Sequence, residues 1–542
     1  MTSLSTARDH RDGFVPFPAE LAESYRQAGY WAGRPLGELL RDAARQWPDR
    51  IALLGDPGTP GAGATYADLD TAADRMAHGL LKLGLAPGDR VVVQLPNVLE
   101  FVPVLFGLLR AGIIPVLTLP AHRRAEIEHL TRLSGAVAYV IADRAGDFDY
   151  RALAHQVCAA VPTLRHVLVL GDPGAFTDLH SVPTPGGALP EVDATDIALM
   201  LVSGGTTGLP KLIARTHDDY YYNATASAAV CELRPEDVYL ATLPVAHNFP
   251  LSCPGILGTI ATGGGMVFVT DPSPEHAFAA IERHGVTVTA VVPPLAQLWT
   301  AAVEWEEADL ASLRLLQVGG ARLAEVNARE VRPALNVRLQ QVFGMAEGLL
   351  NYTRFEDSDE IVCTTQGRPL SPADEVRVVD AEGNDVADGE EGELLTRGPY
   401  TLRGYYRAPE HNSRAFTPDG FYRSGDLVRR LPSGHLMVSG RIKDVINRGG
   451  ENISCDELEE HLLAYPGVRH AAAVGLPDDV LGERVCAVLV VEADMPTLAE
   501  IKTFLTERGL ATYKLPDVLR QTDILPITAV GKIDKKALRA AH

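Results

Sequence analysis

Short, uninterrupted runs of aliphatic residues recur along this chain, and stretches with the amphipathic pattern of a helix separate them. The runs occupy residues 91–95, 137–142, 166–170, 197–202, 286–292 and 313–318. Strands that are apolar on both sides fit a parallel or mixed sheet, because helices cover both faces of such a sheet. The pattern therefore predicts an α/β fold in which mixed sheets are flanked by helices.

The chain is too long for a single hydrophobic core. It has 542 residues, and cores stop growing at about half that length, so we expect at least two domains. Residues 375–397 switch to short alternating strands with turn residues between them. This change predicts a β-rich subdomain within the first, larger domain.

A domain boundary is expected near Gly440. Two pairs beyond it have the spacing of capping boxes that open helices, Ser454 with Glu457 and Thr497 with Glu500. Strand-like runs at 471–474 and 485–491 complete a compact α+β unit of normal domain size. We predict an N-terminal domain over residues 1–440 and a C-terminal domain over residues 441–542.

Charge and cysteine usage narrow the class of protein. Acidic residues outnumber basic ones by 70 to 49, which argues against sequence-independent nucleic-acid binding. The six cysteines form no C-x-x-C pair, and the N-terminus has no apolar signal-peptide core. The most apolar stretch, 101–120, carries Arg110 and three prolines, so we expect a buried helix and a strand there. These features predict a cytoplasmic protein without a membrane or nucleic-acid partner.

A glycine-rich loop follows the apolar run at 197–202. Residues 203–211 read Ser-Gly-Gly-Thr-Thr-Gly-Leu-Pro-Lys. The glycines allow a tight turn whose backbone N–H groups face a phosphate, and the hydroxyls and the lysine add donors and positive charge. The loop is not a Walker A motif, because Pro210 precedes Lys211. A loop of this kind standing alone is equally well read as a surface turn.

Five further motifs follow the loop in a fixed order. They are Phe-Gly-Met-Ala-Glu at 343–347, Gly392-Glu393, Tyr-Arg-Ser-Gly-Asp at 422–426, Gly-Arg-Ile-Lys-Asp at 440–444 and Gly531-Lys532. From about residue 30 to its end the chain resembles the adenylate-forming superfamily of acyl- and aryl-CoA synthetases, luciferases and nonribosomal adenylation domains. The resemblance implies a large N-terminal domain, a small mobile C-terminal domain, and formation of an acyl-AMP from ATP with release of pyrophosphate.

The resemblance also implies a site for ATP and Mg²⁺. The loop would hold the triphosphate through Ser203, Gly204, Gly205, Thr206, Thr207, Gly208 and Lys211. Glu347 and Thr206 would hold the magnesium ion, which usually takes few protein ligands. The adenine slot and its surroundings would comprise Gly320, Ala321, Val342, Phe343, Gly344 and Met345. Asp426 would accept hydrogen bonds from the ribose hydroxyls with help from Arg441.

Lys532 is the residue on which we expect the first step to depend. In the superfamily this lysine lies between the substrate carboxylate and the α-phosphate, where positioning and charge drive phosphoryl transfer. Lys443 matches the hinge about which the C-terminal domain would turn. That turn would remove Lys532 and bring Arg448, Gly449 and Gly450 towards a thiol acceptor. Many relatives carry lysine where this chain has Asn452, which weakens the case for a cationic contact at that point but not for adenylation.

The run His-Asn-Phe-Pro-Leu-Ser-Cys at 247–253 closely resembles the aryl-acid ligases of siderophore and related pathways, which activate 2,3-dihydroxybenzoate or salicylate. By that resemblance Asn248 hydrogen-bonds the ring hydroxyl or carboxylate region, and Phe249 forms a pocket wall. The other expected substrate-binding residues are His247, Cys253, Gly319, Ala346 and Leu350. Amino-acid-activating domains usually carry aspartate at the position of Asn248, so an amino-acid substrate is disfavoured. A neutral amide still serves a phenol or an aryl amine.

Cys253 and Leu350 bear on the ring substituents. Dihydroxybenzoate enzymes of this family tend to carry serine and valine at these positions. The bulkier, less polar pair desolvates a 3-hydroxyl without a good partner, at a cost of about 1–3 kcal/mol. The pattern favours salicylate, with 2,3-dihydroxybenzoate and an anthranilate-type acid as alternatives; simple core packing by both residues is the other interpretation.

The chain ends ten residues after Lys532 without a Gly-Gly-x-Ser phosphopantetheine site. We therefore expect a separate aryl or peptidyl carrier protein as acceptor, with coenzyme A as the alternative. A nucleotide-binding regulator without catalysis is disfavoured because Lys532 and Glu347 are both present. A P-loop ATPase is disfavoured by Pro210. Formation of a homodimer stays open.

Overall fold

The computed structural model describes residues 11–56, 59, 61–181, 187–203, 210–448, 451–478, 481–492, 494–508, 510, 512–528 and 531–541. The side chains of residues 443, 451, 452 and 482 lie outside this description. Within these ranges the chain forms four sheets of four or more strands and one two-stranded ribbon.

The first sheet contains the apolar runs that the sequence predicted as buried strands. The elements of this part are α1 (Ala19–Gln27), α2 (Glu38–Gln46), α3 (Tyr66–Lys82), β1 (Arg90–Gln94), α4 (Phe101–Arg110), β2 (Ile114–Leu117), α5 (Arg124–Ser134), β3 (Ala138–Ala142), β4 (Arg144–Ala145), β5 (Phe148–Asp149), α6 (Tyr150–Ala160), β6 (His166–Leu170), β7 (Thr177–Asp178), β8 (Ile197–Val202), β9 (Leu212–Thr216) and α7 (His217–Val230). Seven strands pair in the order β7-β6-β3-β1-β2-β8-β9. The pairs are parallel except for β8 with β9, which are antiparallel neighbours on either side of the glycine-rich loop.

The apolar stretch at 101–120 forms a buried helix and a strand, as predicted. Helix α4 buries every side chain except that of Pro103, and β2 is buried throughout. Arg110 is only 5% exposed because its guanidinium is paired with Asp70 and Asp74 on α3. Within the described ranges no helix combines the length and apolarity needed to cross a bilayer.

A second seven-stranded sheet follows. Its elements are β10 (Val238–Ala241), α8 (Asn248–Ser252), α9 (Gly255–Thr262), β11 (Gly265–Phe268), α10 (Pro274–His284), β12 (Val288–Val291), α11 (Pro293–Ala302), β13 (Leu315–Gly319), α12 (Glu325–Leu335), β14 (Arg338–Met345), β15 (Gly348–Tyr352), α13 (Asp359–Thr364) and β16 (Arg368–Pro369). The order is β11-β10-β12-β13-β14-β15-β16, parallel as far as β14 and antiparallel beyond it. Ligands of open α/β sheets bind outside the carboxyl ends of strands, which directs attention to the ends of β13 and β14.

The β-rich subdomain is a four-stranded antiparallel sheet. It comprises β17 (Glu375–Val379), β18 (Glu391–Arg397), α14 (Pro409–Ala415), β19 (Tyr422–Arg430) and β20 (Leu436–Arg441), with strand order β17-β18-β19-β20. Gly383, one of the turn residues between the first two strands of this sheet, adopts a φ of 88°. The last two strands carry two predicted nucleotide ligands, Asp426 and Arg441, as a directly opposed pair.

The C-terminal part forms its own five-stranded sheet and its own core. Its elements are β21 (Val445–Arg448), β22 (Glu451–Ser454), α15 (Cys455–Leu463), β23 (Val468–Asp478), β24 (Gly482–Val491), α16 (Leu498–Glu507), β25 (Val518–Gln521) and α17 (Lys535–Ala541). Two apolar clusters are built entirely from residues of this part. The chain thus has a large N-terminal and a small C-terminal domain. The predicted hinge residue Lys443 lies in a 3-10 turn, Ile442–Asp444, between β20 and β21. The boundary at residue 440 and the hinge itself stay predictions.

The two predicted capping boxes turn out differently. Thr497 and Glu500 form the complete reciprocal box at the start of α16. At α15, Ser454 accepts the hydrogen bond from the Glu457 N–H, but the Glu457 carboxylate binds Lys514 Nζ at 2.7 Å. A charged partner brought close by the tertiary fold competes successfully with the local backbone N–H.

Candidate active site

The two ends of the glycine-rich loop are fixed to each other. Ser203 N–H donates to the carbonyl oxygen of Lys211 at 2.9 Å, and Lys211 N–H donates to Ser203 Oγ at 2.9 Å. Five predicted phosphate ligands, Gly204, Gly205, Thr206, Thr207 and Gly208, lie outside the described residues. These two hydrogen bonds hold the first and last residues of the loop together at the edge of the first sheet.

The side chain of Lys211 is linked to Glu347, next to the second sheet, through Tyr405. Its Nζ lies 5.6 Å from the ring centroid of Tyr405, and the Tyr405 hydroxyl donates to Glu347 Oε1 at 2.7 Å. The Tyr405 and Tyr422 hydroxyls are themselves 2.9 Å apart. One tyrosine thus connects the expected phosphate loop with the expected magnesium ligand.

The environment of Glu347 fits a divalent cation. Its backbone carbonyl accepts from Leu402 N–H at 2.8 Å, which fixes the residue at the turn between β14 and β15. Burial raises the pKa of its carboxyl, and the hydrogen bond from Tyr405 opposes that rise. A partly buried carboxylate is stabilised by a nearby cation, and oxygen ligands suit Mg²⁺.

The glycines at the end of β13 allow close packing above the second sheet. A Cβ on Gly319 would lie 2.6 Å from the carbonyl oxygen of Val342 and 3.0 Å from the ring of Phe249. Gly320 adopts a φ of 84°, a conformation that glycine tolerates best. The backbone at Gly319 therefore packs closely against both Val342 and Phe249. The neighbouring predicted residues lie partly buried or exposed around the same strand ends, namely Ala321, Phe343, Gly344, Met345 and Ala346.

Asp426 and Arg441 form an ion pair across β19 and β20. Arg441 Nε donates to Asp426 Oδ1 at 2.7 Å, and the Asp426 side chain is 5% exposed. Burial raises the pKa of Asp426, while Arg441 and Lys532 lower it. The pair places a buried acceptor and a cation at the edge of the same cleft.

Lys532 reaches this cleft from the C-terminal domain. Its Cε lies 3.7 Å from the position that a Cβ on Gly320 would take. Burial lowers its pKa to about 8, with repulsion from Arg441 adding to the effect and attraction by Asp426 and Glu347 opposing it. The structure thus brings the predicted catalytic lysine together with the predicted adenine, ribose and magnesium residues.

The predicted acid pocket lies beside Lys532. Burial lowers the pKa of His247 to about 4, and the charge of Lys532 contributes to the fall, so the imidazole is neutral at pH 7. Asn248 Nδ2 lies 3.4 Å from Cys253 Sγ, and both residues are buried. Leu350 packs directly against Gly344. Two polar side chains, those of His247 and Asn248, thus lie with Cys253 and Leu350 in the part of the large domain that Lys532 approaches.

Of the predicted thiolation residues, the structure describes Arg448. Within the described residues Arg448 pairs with Asp517, at 2.8 Å from Nε to Oδ2 and 2.7 Å from NH2 to Oδ1. Gly449 and Gly450 lie outside the described residues, as does the side chain of Lys443. The thiolation role stays a prediction.

Three contributors to the site were not identified from the sequence. Arg215 donates to the carbonyl oxygen of Ala346 at 3.0 Å, Tyr405 holds Glu347, and Tyr220 contacts Asn248 Oδ1 at 2.8 Å. Arg215 follows three apolar residues and has an acid four residues later, a signal of a buried ion pair. The two tyrosines gave no local signal, because their partners are distant in the chain.

Comparison with known proteins finds two matching family models and relatives that align with nearly the whole chain. The AMP-binding enzyme family matches residues 40–406, and the AMP-binding enzyme C-terminal domain family matches residues 457–532. A salicyl-AMP ligase / salicyl-S-ArCP synthetase of Mycobacterium tuberculosis is 58% identical over 530 residues, covering 97% of this chain and 94% of that protein. A 2,3-dihydroxybenzoate-AMP ligase of Bacillus subtilis is 52% identical, covering 98% and 97%. The apo structure of Mycobacterium smegmatis MbtA superposes with a TM-score of 0.75 at 56% identity, covering 98% and 99%.

Proposed function

The chain belongs to the AMP-binding enzyme family, and on that premise we propose that it activates a 2-hydroxybenzoate-type acid, salicylate above all, for transfer to a carrier-protein thiol. In the first step a carboxylate oxygen of the acid attacks the α-phosphorus of ATP. The bond from that phosphorus to pyrophosphate breaks, and the aryl-AMP forms. In the second step a phosphopantetheine sulfur replaces AMP at the acyl carbon and loses its proton.

The proposal rests on the position of Lys532, around which the other predicted site residues lie. Its ammonium group lies among Glu347, Asp426 and Arg441, next to Gly320 and the half-buried His247. An amine with a pKa of about 8 is largely protonated at pH 7. It would orient the attacking carboxylate and offset the charge that grows on the transferred phosphorus, which is the main task in such reactions.

The remaining residues would bind and orient the substrates. Asp426 would accept from the ribose, and the loop between Ser203 and Lys211 would contact the phosphates. Glu347 would hold Mg²⁺, which when bound neutralises phosphate charge. Burial of Cys253 and Leu350, 1% and 2% exposed, would exclude water from the ring. The Asn248 side chain is neutral and cannot pair with the charge of an α-ammonium, which supports an aryl acid over an amino acid.

The acceptor is proposed from the relatives. The name of the M. tuberculosis relative includes a salicyl-S-ArCP synthetase activity, which supports a carrier protein acting in trans. The C-terminal domain would then turn about Lys443 and present Arg448 to the thiol arm. Coenzyme A is the competing acceptor, and a thiolation assay with both acceptors separates them.

ATP–pyrophosphate exchange tests the first step. Salicylate should support exchange best among salicylate, 2,3-dihydroxybenzoate, anthranilate, benzoate and amino acids, and amino acids should support none. Lys532→Ala should abolish exchange without unfolding the protein. Full exchange by that variant, or exchange driven by an amino acid, would contradict the proposal.

A further inference from the structure

A buried tyrosine holds the amide that the acid pocket uses. The hydroxyl of Tyr220, on α7, donates to Asn248 Oδ1, on α8, at 2.8 Å. Tyr220 is fully buried, and Asn248 is 6% exposed. The guanidinium of Arg215, 4.7 Å from the Tyr220 ring centroid, stacks on that ring and keeps it in place.

The hydrogen bond fixes which way the amide faces. An asparagine has an accepting oxygen and a donating nitrogen that differ little in size, so its orientation follows from its partners. A buried phenol proton without an acceptor costs about 1–3 kcal/mol. Asn248 Oδ1 accepts the Tyr220 proton at 2.8 Å, and the Ser252 hydroxyl also interacts with the Tyr220 oxygen. Rotating the amide by half a turn would face that proton with N–H groups.

With its oxygen engaged, Asn248 presents its nitrogen to the pocket. Nδ2 lies 3.4 Å from Cys253 Sγ, a weak acceptor, and the thiol itself donates to the Asn248 backbone carbonyl at 3.4 Å. Burial raises the pKa of Cys253 to about 12, so the sulfur carries no charge that would hold the amide more firmly. The amide therefore offers N–H groups to a ligand.

Ortho substituents differ in what they present to such a donor. In salicylate the phenol proton is donated to the adjacent carboxylate, so the oxygen faces outwards as an acceptor. In anthranilate one N–H binds the carboxylate and the second points outwards as a donor, while the nitrogen lone pair is delocalised into the ring. When the outward N–H of anthranilate faces the N–H groups of Asn248, neither side finds an acceptor, and unsatisfied donors in a buried site are costly.

We infer that Tyr220 is a positioning residue that sets the hydrogen-bond polarity of the acid pocket, so that the enzyme selects aryl acids whose ortho atom accepts a hydrogen bond and rejects those whose ortho atom donates. This inference rests on the proposed aryl-acid activation and narrows its substrate class. The inference excludes anthranilate-type acids from the expected substrates, whereas a neutral asparagine considered alone is compatible with them.

The wild-type enzyme gives the first test, by ATP–pyrophosphate exchange with salicylate, anthranilate and benzoate. We expect kcat/KM for salicylate to exceed that for anthranilate by about ten- to a hundredfold. Equal use of salicylate and anthranilate would overturn the inference and leave the proposed function intact. Failure of every aryl acid would instead refute the proposed function.

Tyr220→Phe tests the positioning role. Freed from the phenol, the amide can turn its oxygen to the ligand, so the salicylate-to-anthranilate ratio should fall about tenfold. Benzoate, which has no ortho substituent, should lose less activity than salicylate does. An unchanged ratio, or an equal loss on all three acids, would contradict the role. Tyr66→Phe is the matched control, because it removes a buried hydroxyl bound to the Gly264 carbonyl oxygen at 2.6 Å and should leave the ratio unchanged.

Asn248→Asp tests the polarity without removing the phenol. A carboxylate accepts but does not donate, so the salicylate-to-anthranilate ratio should drop below the wild-type value even if overall activity falls. This variant keeps the shape of the pocket and remains informative if Tyr220→Phe folds poorly. A ratio at or above that of the wild type would exclude hydrogen-bond polarity as the basis of selection.

Discussion

Arg322 and Glu460 form an ion pair of 2.8 Å that joins the two domains. Arg322 follows the glycines of the expected adenine slot, and Glu460 lies on α15 of the C-terminal domain. Their side chains are 15% and 29% exposed, so water screens the pair only in part. The contact is made in the same arrangement that places Lys532 in the cleft, and it stabilises that arrangement.

Removing this pair should slow adenylation selectively. A partly exposed ion pair contributes up to about 1 kcal/mol, which corresponds to about fivefold in the population of the closed arrangement. Arg322→Ala should reduce ATP–pyrophosphate exchange by about that factor and leave thioester formation from preformed aryl-AMP unchanged. Exchanging the charges, with Arg322→Glu and Glu460→Arg together, should restore exchange.

The control for this prediction is Arg329→Ala. Arg329 pairs with Glu325 and Glu360 inside the N-terminal domain, so its loss does not affect the domain contact. An equal decline of both half-reactions in Arg322→Ala would show that the pair does not distinguish the two arrangements.

Adenylation should decline in alkaline solution. The electrostatic role of Lys532 requires the ammonium form, and its pKa is lowered to about 8 in the protein without nucleotide. The kcat/KM for exchange should therefore fall as pH rises through about 8. With saturating ATP the phosphate charge favours the ammonium form, so the fall in kcat should occur at higher pH.

Lys532→Arg provides the comparison for the pH profile. A guanidinium stays protonated across this range, so whatever activity the variant retains should lack the alkaline fall. A wild-type profile that is flat up to pH 10 would be inconsistent with a titrating Lys532 at the reacting centre.

The preference for salicylate over 2,3-dihydroxybenzoate should depend on Cys253 and Leu350. Replacing both, with Cys253→Ser and Leu350→Val, supplies a hydroxyl partner and removes a methylene next to the ring. The ratio of kcat/KM for 2,3-dihydroxybenzoate to that for salicylate should rise about tenfold or more. Cys231→Ser, at a buried cysteine whose sulfur contacts Gln317 and Gln340, is the control and should not change the ratio. No rise in the double variant would mean that these side chains only pack the core.

Breaking the buried Arg215–Asp219 pair should destabilise the large domain. The two side chains are 0% and 3% exposed and 2.8 Å apart, and Arg215 also binds the carbonyl oxygens of Ala346 and Tyr400. Arg215→Met would leave a buried, unpaired carboxylate and should lower the free energy of unfolding by about 3–5 kcal/mol. All four tryptophans precede residue 310, so denaturant unfolding followed by tryptophan fluorescence reports on this domain. Arg377→Met, which removes an exposed pair with Asp385, should change it little.

Local patterns predicted much of the architecture. The aliphatic runs became buried strands of two sheets, and residues 375–397 became the start of the antiparallel subdomain. These predictions are confirmed because strand periodicity and turn chemistry act over a few residues. The membership in the adenylate-forming superfamily is likewise confirmed. The individual roles given to Lys532, Glu347 and Asp426 stay predictions that the exchange assays test.

The sequence by itself determined which side chains were available and in what order: the motifs, the neutral Asn248, and the apolar Cys253 and Leu350. Only the tertiary structure decided which groups meet, because hydrogen bonds and ion pairs extend over about 3 Å whatever the separation along the chain. That is why Glu457 binds Lys514 instead of completing its capping box, and why Arg322 meets Glu460. It is also why Tyr220 sets the direction in which Asn248 donates.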